Sequence, residues 1–452
     1  MAVFSIIKKS QLEGAKRLDA EYYQPENLRL AKQLRLIPTV HLADIAFITD
    51  GEHGSPIWDE TSGIKYFSAQ HVRDGFIDDT NAEFIAKSID EKNKRSRLKV
   101  GDILLSTVGT IGFAGLVTKD ILPANIDRHV ARIALKEKTI SPEFLVAFLN
   151  SAFGRFQSIR EATGNVQLNI FIDKIKEFVI PAKEFPDVAS LMNKALQKRE
   201  DSELLYSQAE GLLLKELGLE NFEEEVGLWS VVQLSEAQAA GRIDSEYFQP
   251  KYERVVERIK NQKHATIEEV SAFVGHATQS PYDERGSIAV LAQKHMKRDL
   301  HIEVNGFDNF TTDDLIKKND KKYVLKKGDI LISSAGEPGL TSVWTGERGQ
   351  KVIPGSFVTV VRLKGDIDPL YLGVFLNTPA GKLQFERDYT GSVQQYVYPS
   401  KIKNILVPIL PEKMQQKIAE LVRESHTARA KSRELLEAAK RKVEELIESP
   451  TS

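Results

Sequence analysis

The sequence predicts an α+β protein: two duplicated α/β domains separated by a long antiparallel two-helix coiled coil with pseudo-twofold symmetry. Three observations predict it. Phrases of the first half return in order about 225 residues later, each half interleaves β-branched runs with helices opened by Pro, and each half closes on a long heptad-spaced stretch.

The repeated phrases keep one register. Phe4-Ser-Ile-Ile returns as Trp229-Ser-Val-Val, and Arg17-Leu-Asp-Ala-Glu-Tyr-Tyr-Gln-Pro25 returns as Arg242-Ile-Asp-Ser-Glu-Tyr-Phe-Gln-Pro250. Gly101-Asp-Ile-Leu-Leu-Ser106 matches Gly328-Asp-Ile-Leu-Ile-Ser333, Phe148-Leu-Asn150 matches Phe375-Leu-Asn377, and Thr163-Gly-Asn-Val-Gln167 matches Thr390-Gly-Ser-Val-Gln394. The offset drifts only from 225 to 227, which a tandem domain duplication explains and a short solenoid repeat does not.

Within each half, runs such as Ile64-Lys-Tyr-Phe-Ser and Val358-Thr-Val-Val-Arg-Leu363 predict strands cut by Gly and Pro. Pro142 to Asn150 and its copy Pro369 to Asn377 predict helices, with Pro in the first turn, where its missing N–H is no loss. The expected boundaries are a first domain at 1–185, a first spacer helix at 186–218, a linker at 219–227, a second domain at 228–410 and a second spacer helix at 411–448.

The spacer helices follow alternating steps of four and three. Met414, Ile418, Leu421, Ser425, Ala428, Ser432, Leu435 and Ala439 form one seam, and Val188, Met192, Ala195, Arg199, Ser202, Tyr206, Ala209 and Leu213 form the other. At 1.5 Å per residue such helices run roughly 45 to 55 Å. The alternative is two separate helices, each covering its own domain; period 3.5 kept over so many turns favours seams that bury each other.

Bulk properties narrow the function. At 452 residues with 28% charged side chains the chain has room for two or three soluble domains. Zero cysteines exclude disulfides and thiolate sites and fit a reducing cytoplasm. The apolar stretch after Met1 is too short for a signal peptide, and no run suits a bilayer, so a cytoplasmic location without membrane contact is expected. A net charge of -2 argues against coating nucleic acid by charge alone.

Two diverged copies of one domain on a rigid spacer nonetheless suit a reader of double-stranded DNA, since half-sites recur on one face about every 34 Å. Divergence predicts an asymmetric bipartite target. Basic runs precede the Gly-Asp-Ile-Leu strand in both copies: Lys92, Lys94, Arg95, Arg97 and Lys99, then Lys317, Lys318, Lys321, Lys322, Lys326 and Lys327. These are candidate phosphate contacts, against the alternative of a solvated edge. Candidate base readers lie in Gln70, His71 and Arg73, matched with Gln293, Lys294, Lys297 and Arg298; in Arg128 and His129, placed opposite Gly355 and Ser356; and in Asn165, Gln167 and Asn169, matched with Gln394, Gln395 and Tyr396. Each of these polar residues also has an ordinary alternative as a loop or cap hydrogen bonder.

In this order the phrases resemble the specificity subunit of Type I restriction-modification systems, HsdS-like. The resemblance rests on Arg97-Leu-Lys-Val-Gly-Asp-Ile-Leu-Leu-Ser with Gly109-Thr-Ile-Gly112, on Tyr66-Phe-Ser-Ala-Gln-His-Val with Gly75-Phe-Ile77, and on Ile172 to Pro181. It implies two target recognition domains, spacer helices that dock two methyltransferase subunits, two motor-nuclease subunits, and a chain with no cofactor of its own. S-adenosylmethionine, ATP and magnesium would sit on the partners. The second copy departs at Gly336-Glu-Pro-Gly339, which puts one contact scheme for both domains in doubt.

Motifs for chemistry are absent. No Gly-Lys-Ser/Thr loop, dinucleotide fingerprint or His-Glu-x-x-His occurs, and Asp368-Pro-Leu-Tyr371 reads as a helix start because its repeat partner is Ser141-Pro-Glu-Phe144. A stand-alone nuclease or methyltransferase and a peptide-binding scaffold are the competing readings.

Overall fold

A computed structural model describes residues 5–8, 12, 17–136, 140–164, 167–220, 231–346, 349–391 and 393–449. The chain divides into two compact units, one of residues 1–200 with 429–452 and the other of residues 201–428. Each unit therefore holds one domain together with part of each long helix, Pro186–Glu216 and Glu412–Glu448.

The first unit contains β1 (Thr39–His41), β2 (Ala46–Asp50), β3 (Lys65–Phe67), β4 (Glu83–Phe84), β5 (Ile103–Ser106), β6 (Ala114–Leu116), β7 (Ala124–Ile126), β8 (Val130–Leu135) and β9 (Val179–Pro181). They form a four-stranded antiparallel sheet in the order β2-β8-β5-β6, a three-stranded sheet in the order β4-β3-β7 and a ribbon of β1 with β9. The second unit contains β10 (His264–Thr266), β11 (Ser271–His276), β12 (Ile288–Leu291), β13 (Phe310–Thr311), β14 (Ile330–Ser333), β15 (Thr341–Val343), β16 (Val352–Pro354), β17 (Val358–Leu363) and β18 (Leu406–Pro408). Its orders are β11-β17-β14-β15, β13-β12-β16 and β10-β18, the same topology strand for strand.

The recurring phrases have recurring physical jobs. β5 and β14 are buried at every position, which is why Ile-Leu-Leu and Ile-Leu-Ile stand there. The buried Asp before each strand closes the preceding turn and takes a half-buried Arg from the neighbouring strand. Asp102 accepts from Lys99 N at 2.7 Å and from Arg132 Nε at 2.6 Å; Asp329 accepts from Lys326 N at 2.7 Å and from Arg362 Nη2 at 2.6 Å. Asn150 caps the edge of β6, accepting from Ala114 N at 3.0 Å and donating to Ala114 O at 2.7 Å, and Asn377 does the same for Thr341. These side chains satisfy backbone groups that an edge strand would otherwise leave unpaired. Asp368 accepts from Leu370 N at 2.8 Å, and Ser141 accepts from Phe144 N at 3.2 Å, so both are helix caps as expected.

The long helices pack in both of the ways the sequence allowed. In the first unit Ser432 donates to Ala195 O at 2.6 Å, and in the second Ser425 donates to Ser202 O at 2.7 Å, so small seam residues bring the helices close. The same helices also complete the domain cores. Val188, Met192, Ala439, Val443 and Ile447 are buried with Phe144 and Phe148, and Ala209, Leu213, Ile418, Ala419 and Val422 with Tyr371 and Phe375. Past Ala439 the buried positions are Val443 and Ile447, because that end of the helix faces a domain core. Among the described residues no helix is long and apolar enough to cross a membrane.

Candidate nucleic-acid interface

The segment after β3 is a turn pinned by a histidine. His71 is buried, its Nδ1 accepting from Ser68 N at 2.9 Å and its Nε2 facing Asn81 O at 3.5 Å. After β12, His295 accepts from Ala292 N at 2.9 Å and faces Gly306 O at 3.0 Å, and burial holds its pKa below the ordinary value. The two histidines therefore stand at equivalent positions and shape their loops. This corrects the expected pairing of Gln70 with Gln293: Gln70 stands opposite Lys294, Arg73 opposite Lys297, and Gln293 opposite Ala69.

Gln293 packs on the turn Gly336-Glu-Pro-Gly339, where the second copy departs. With its amide oriented to satisfy both contacts, it donates to Ala335 O at 3.1 Å and accepts from Glu337 N at 2.9 Å. A Cβ at Gly336 would lie 2.1 Å from the end of the Gln293 amide, and φ there is +79°, so this turn favours glycine. The matching Gly109 has nothing within 4 Å, in keeping with Ala69 opposite Gln293. Gln293 thus belongs to the loop's own structure, whereas Gln70 is exposed.

The basic candidates for phosphate and base contact are exposed or half-buried, and many of them are matched by carboxylates. Lys94 pairs with Glu91 at 2.9 Å, Arg95 with Asp50 at 3.1 Å, Arg97 with Asp90 and Glu91, and Arg73 with Asp78 at 3.5 Å. In the second unit Lys294 pairs with Asp308, Lys297 with Glu303 at 3.5 Å, Arg298 with Glu337 at 2.7 Å and Lys321 with Asp313, while Lys322 lies 5.1 Å over the Tyr323 ring. Hydrogen bonds from Lys294 and Lys321 lower the carboxyl pKa of Asp308 and Asp313. At these pairs the local charge is therefore balanced. Exposed pairs of this kind are worth about 0–1 kcal/mol, so exchanging a carboxylate for a phosphate costs little.

Two segments far apart in sequence meet in the first unit. Asp50, His53, Arg128, His129, Gln167, Asn169 and Phe171 line a cleft of about 360 Å³. Isolated β-bridges from Asn169 to Val108 and Thr163 hold one wall. On the other, half-buried Asp127 orients His129, accepting from its backbone N at 2.8 Å and from its Nδ1 at 3.0 Å, while Arg128 Nε donates to His129 Nε2 at 3.1 Å. The cleft presents a guanidinium, an imidazole and amides together, the groups that read base edges in a groove. Asn165 lies outside the described residues.

In the second unit the same bridges run from Tyr396 to Ala335 and Thr390. Backbone bonds from Thr107 to His129 O and from Ser334 to Phe357 O fix a second correction: Arg128 and His129 stand opposite Ser356 and Phe357, not Gly355 and Ser356. Gln394 and Gln395 are exposed, and Ser356 is half-buried with its N donating to Gln279 Oε1 at 3.5 Å. Phe357, 57% exposed, and Tyr398, 50% exposed, join this surface, though nothing in the sequence pattern singled them out. Among the described residues no group of three or more His, Asp or Glu is placed to hold a metal ion.

Comparison with known proteins agrees with the resemblance. Residues 284–427 match the family model described as the Type I restriction modification DNA specificity domain. The Type I restriction enzyme EcoBI specificity subunit of Escherichia coli is 30% identical over 139 residues, which are 31% of this chain and 29% of that protein's length. Among solved structures, the Type I restriction-modification S subunit from M. genitalium aligns with TM-score 0.38 and 14% identity over 91% of this chain and 95% of that one. The HsdS subunit from Thermoanaerobacter tengcongensis aligns with TM-score 0.30 and 14% identity over 92% and 97%.

Proposed function

We propose that this chain is the DNA specificity subunit of a Type I restriction-modification complex, a non-catalytic reader whose two domains each take one half of a bipartite target in double-stranded DNA. The observation that carries this is the family match over residues 284–427 together with the strand-for-strand repetition of that domain's topology in the first unit. The paired helices are the docking element for two methyltransferase subunits, to which two motor-nuclease subunits add in the restricting assembly. S-adenosylmethionine, ATP and magnesium then act on those partners. Arg128, His129, Gln167 and Asn169 serve the first half-site; Lys297, Ser356, Gln394, Gln395 and Tyr396 serve the second; Gln70, Arg73, Lys94, Arg95, Arg97, Lys294, Arg298, Lys321 and Lys322 position the duplex through phosphates. His71 and Gln293 act indirectly, by shaping the loops.

The test is methylome sequencing of a host expressing the chain with its methyltransferase partners. A split methylated motif is expected, and Arg128→Ala with His129→Ala relaxes only one half of it. An unsplit motif, or a motif unchanged by these substitutions and by Gln394→Ala with Gln395→Ala, overturns the reading.

A further inference from the structure

The matching surfaces of the two units rest on the same backbone bridges but carry different chemistry. The first offers His129 and Asn169; at those positions the second has Phe357 and Tyr396, with ring centroids 6.1 Å apart and planes at 76°. Tyr398 adds a ring 4.7 Å from Tyr396, where the first unit has Phe171. Phe357 and Tyr398 are half exposed or more, and Val393 of the same loop is 100% exposed. The loss of His129 is matched behind it, since Asp127, which orients that ring, is replaced by Gly355.

Three apolar side chains of one surface left in water, two of them aromatic, suit an apolar feature on the partner. Exposed Gln394 and Gln395 in the same loop require that partner to carry hydrogen-bonding groups beside the apolar one. A base-pair edge supplies both, and in the major groove thymine alone adds a methyl group. We propose that Phe357, with Tyr396 and Tyr398, reads thymine 5-methyl groups in the half-site taken by the second unit. This rests on the DNA-reading function above and narrows it to a base.

The test uses the full chain purified with its methyltransferase partners and duplexes bearing its methylated target. The second unit's half-site is the half whose recognition Gln394→Ala with Gln395→Ala relaxes. Each thymine there is replaced in turn by deoxyuridine, which lacks only the methyl. Burial of one such carbon predicts roughly fourfold weaker binding at one or more positions. Phe357→Ala should bind thymine and uracil duplexes equally, Phe357→Leu should keep part of the difference, and neither should alter discrimination in the first half-site. A second half-site without thymine on either strand, or a Phe357→Ala chain that keeps the wild-type thymine-to-uracil ratio, overturns the proposal. A complex that discriminates at neither half-site removes the DNA-reading function itself.

Discussion

Gly75 in the first unit and Leu300 in the second occupy the same bend. Each bridges to the edge strand of its sheet, at Gly115 and Ser342, and each has positive φ, +93° and +69°. A Cβ at Gly75 would lie 2.8 Å from Leu436 and 3.2 Å from Met192 of the long helices, so a side chain there would have to displace the ends of both. In the second unit Leu300 is fully buried and lies against Gly373, where a Cβ would come within 3.0 Å of it; the first unit has Val146 at the position of Gly373. One copy places the bulk on the helix and the other on the bend. The left-handed backbone at Leu300 costs about 1–2 kcal/mol, and filling the space, worth about 3 kcal/mol, outweighs it. The core change at this bend is thus a compensating pair, Gly75 with Val146 in one copy and Leu300 with Gly373 in the other.

The largest effects should come from residues that both copies kept. Asp102→Ala and Asp329→Ala each strand a mostly buried arginine, and each should lower the stability of its own unit by about 3–5 kcal/mol in urea unfolding. A much smaller loss in one unit would show that the pair does not hold both copies alike. Next, Leu300→Gly loses about 3 kcal/mol of packing and relieves the left-handed strain, for a net cost of about 1–2 kcal/mol, and adding Gly373→Val should recover a substantial part. Simple additivity of the two changes would sink the exchange. Third, Arg128→Ala should leave unfolding unchanged, because the side chain is exposed, while lowering discrimination at one base pair by about 1–3 kcal/mol in competition binding. Equal weakening on every sequence would make Arg128 a phosphate contact.

The duplication, the element types and the helix caps were legible because each leaves a local pattern. Register in the loops was not. Between β6 and β7 the offset between the copies steps by one residue, and no motif anchors that step, so phrase matching alone pairs Arg128 and His129 with Gly355 and Ser356 and passes over Phe357. Ion pairing was also invisible, since Arg95 finds Asp50 and Arg298 finds Glu337 across about 40 residues. The helices showed their mutual seam through its spacing, yet Ala419, Val422 and Val443 answer to a domain core that linear periodicity does not display.

A smaller effect separates the second unit by pH. His295 is buried with Nδ1 accepting from Ala292 N, and burial holds its pKa below the ordinary value of about 6.5. The unfolded chain then takes up the proton first. The contribution of His295 is fully present above that value and is lost as pH falls below it toward the folded-state pKa. Buried Trp344 lies in the same core as the residues around this loop, so in a chain carrying Trp58→Phe and Trp229→Phe its fluorescence reports the second unit. Urea midpoints read from Trp344 should fall between pH 7 and pH 5 in that chain, beyond any change once His295→Gln is added, whose side chain takes no proton there. Equal pH dependence in both chains would assign the acid sensitivity to another group.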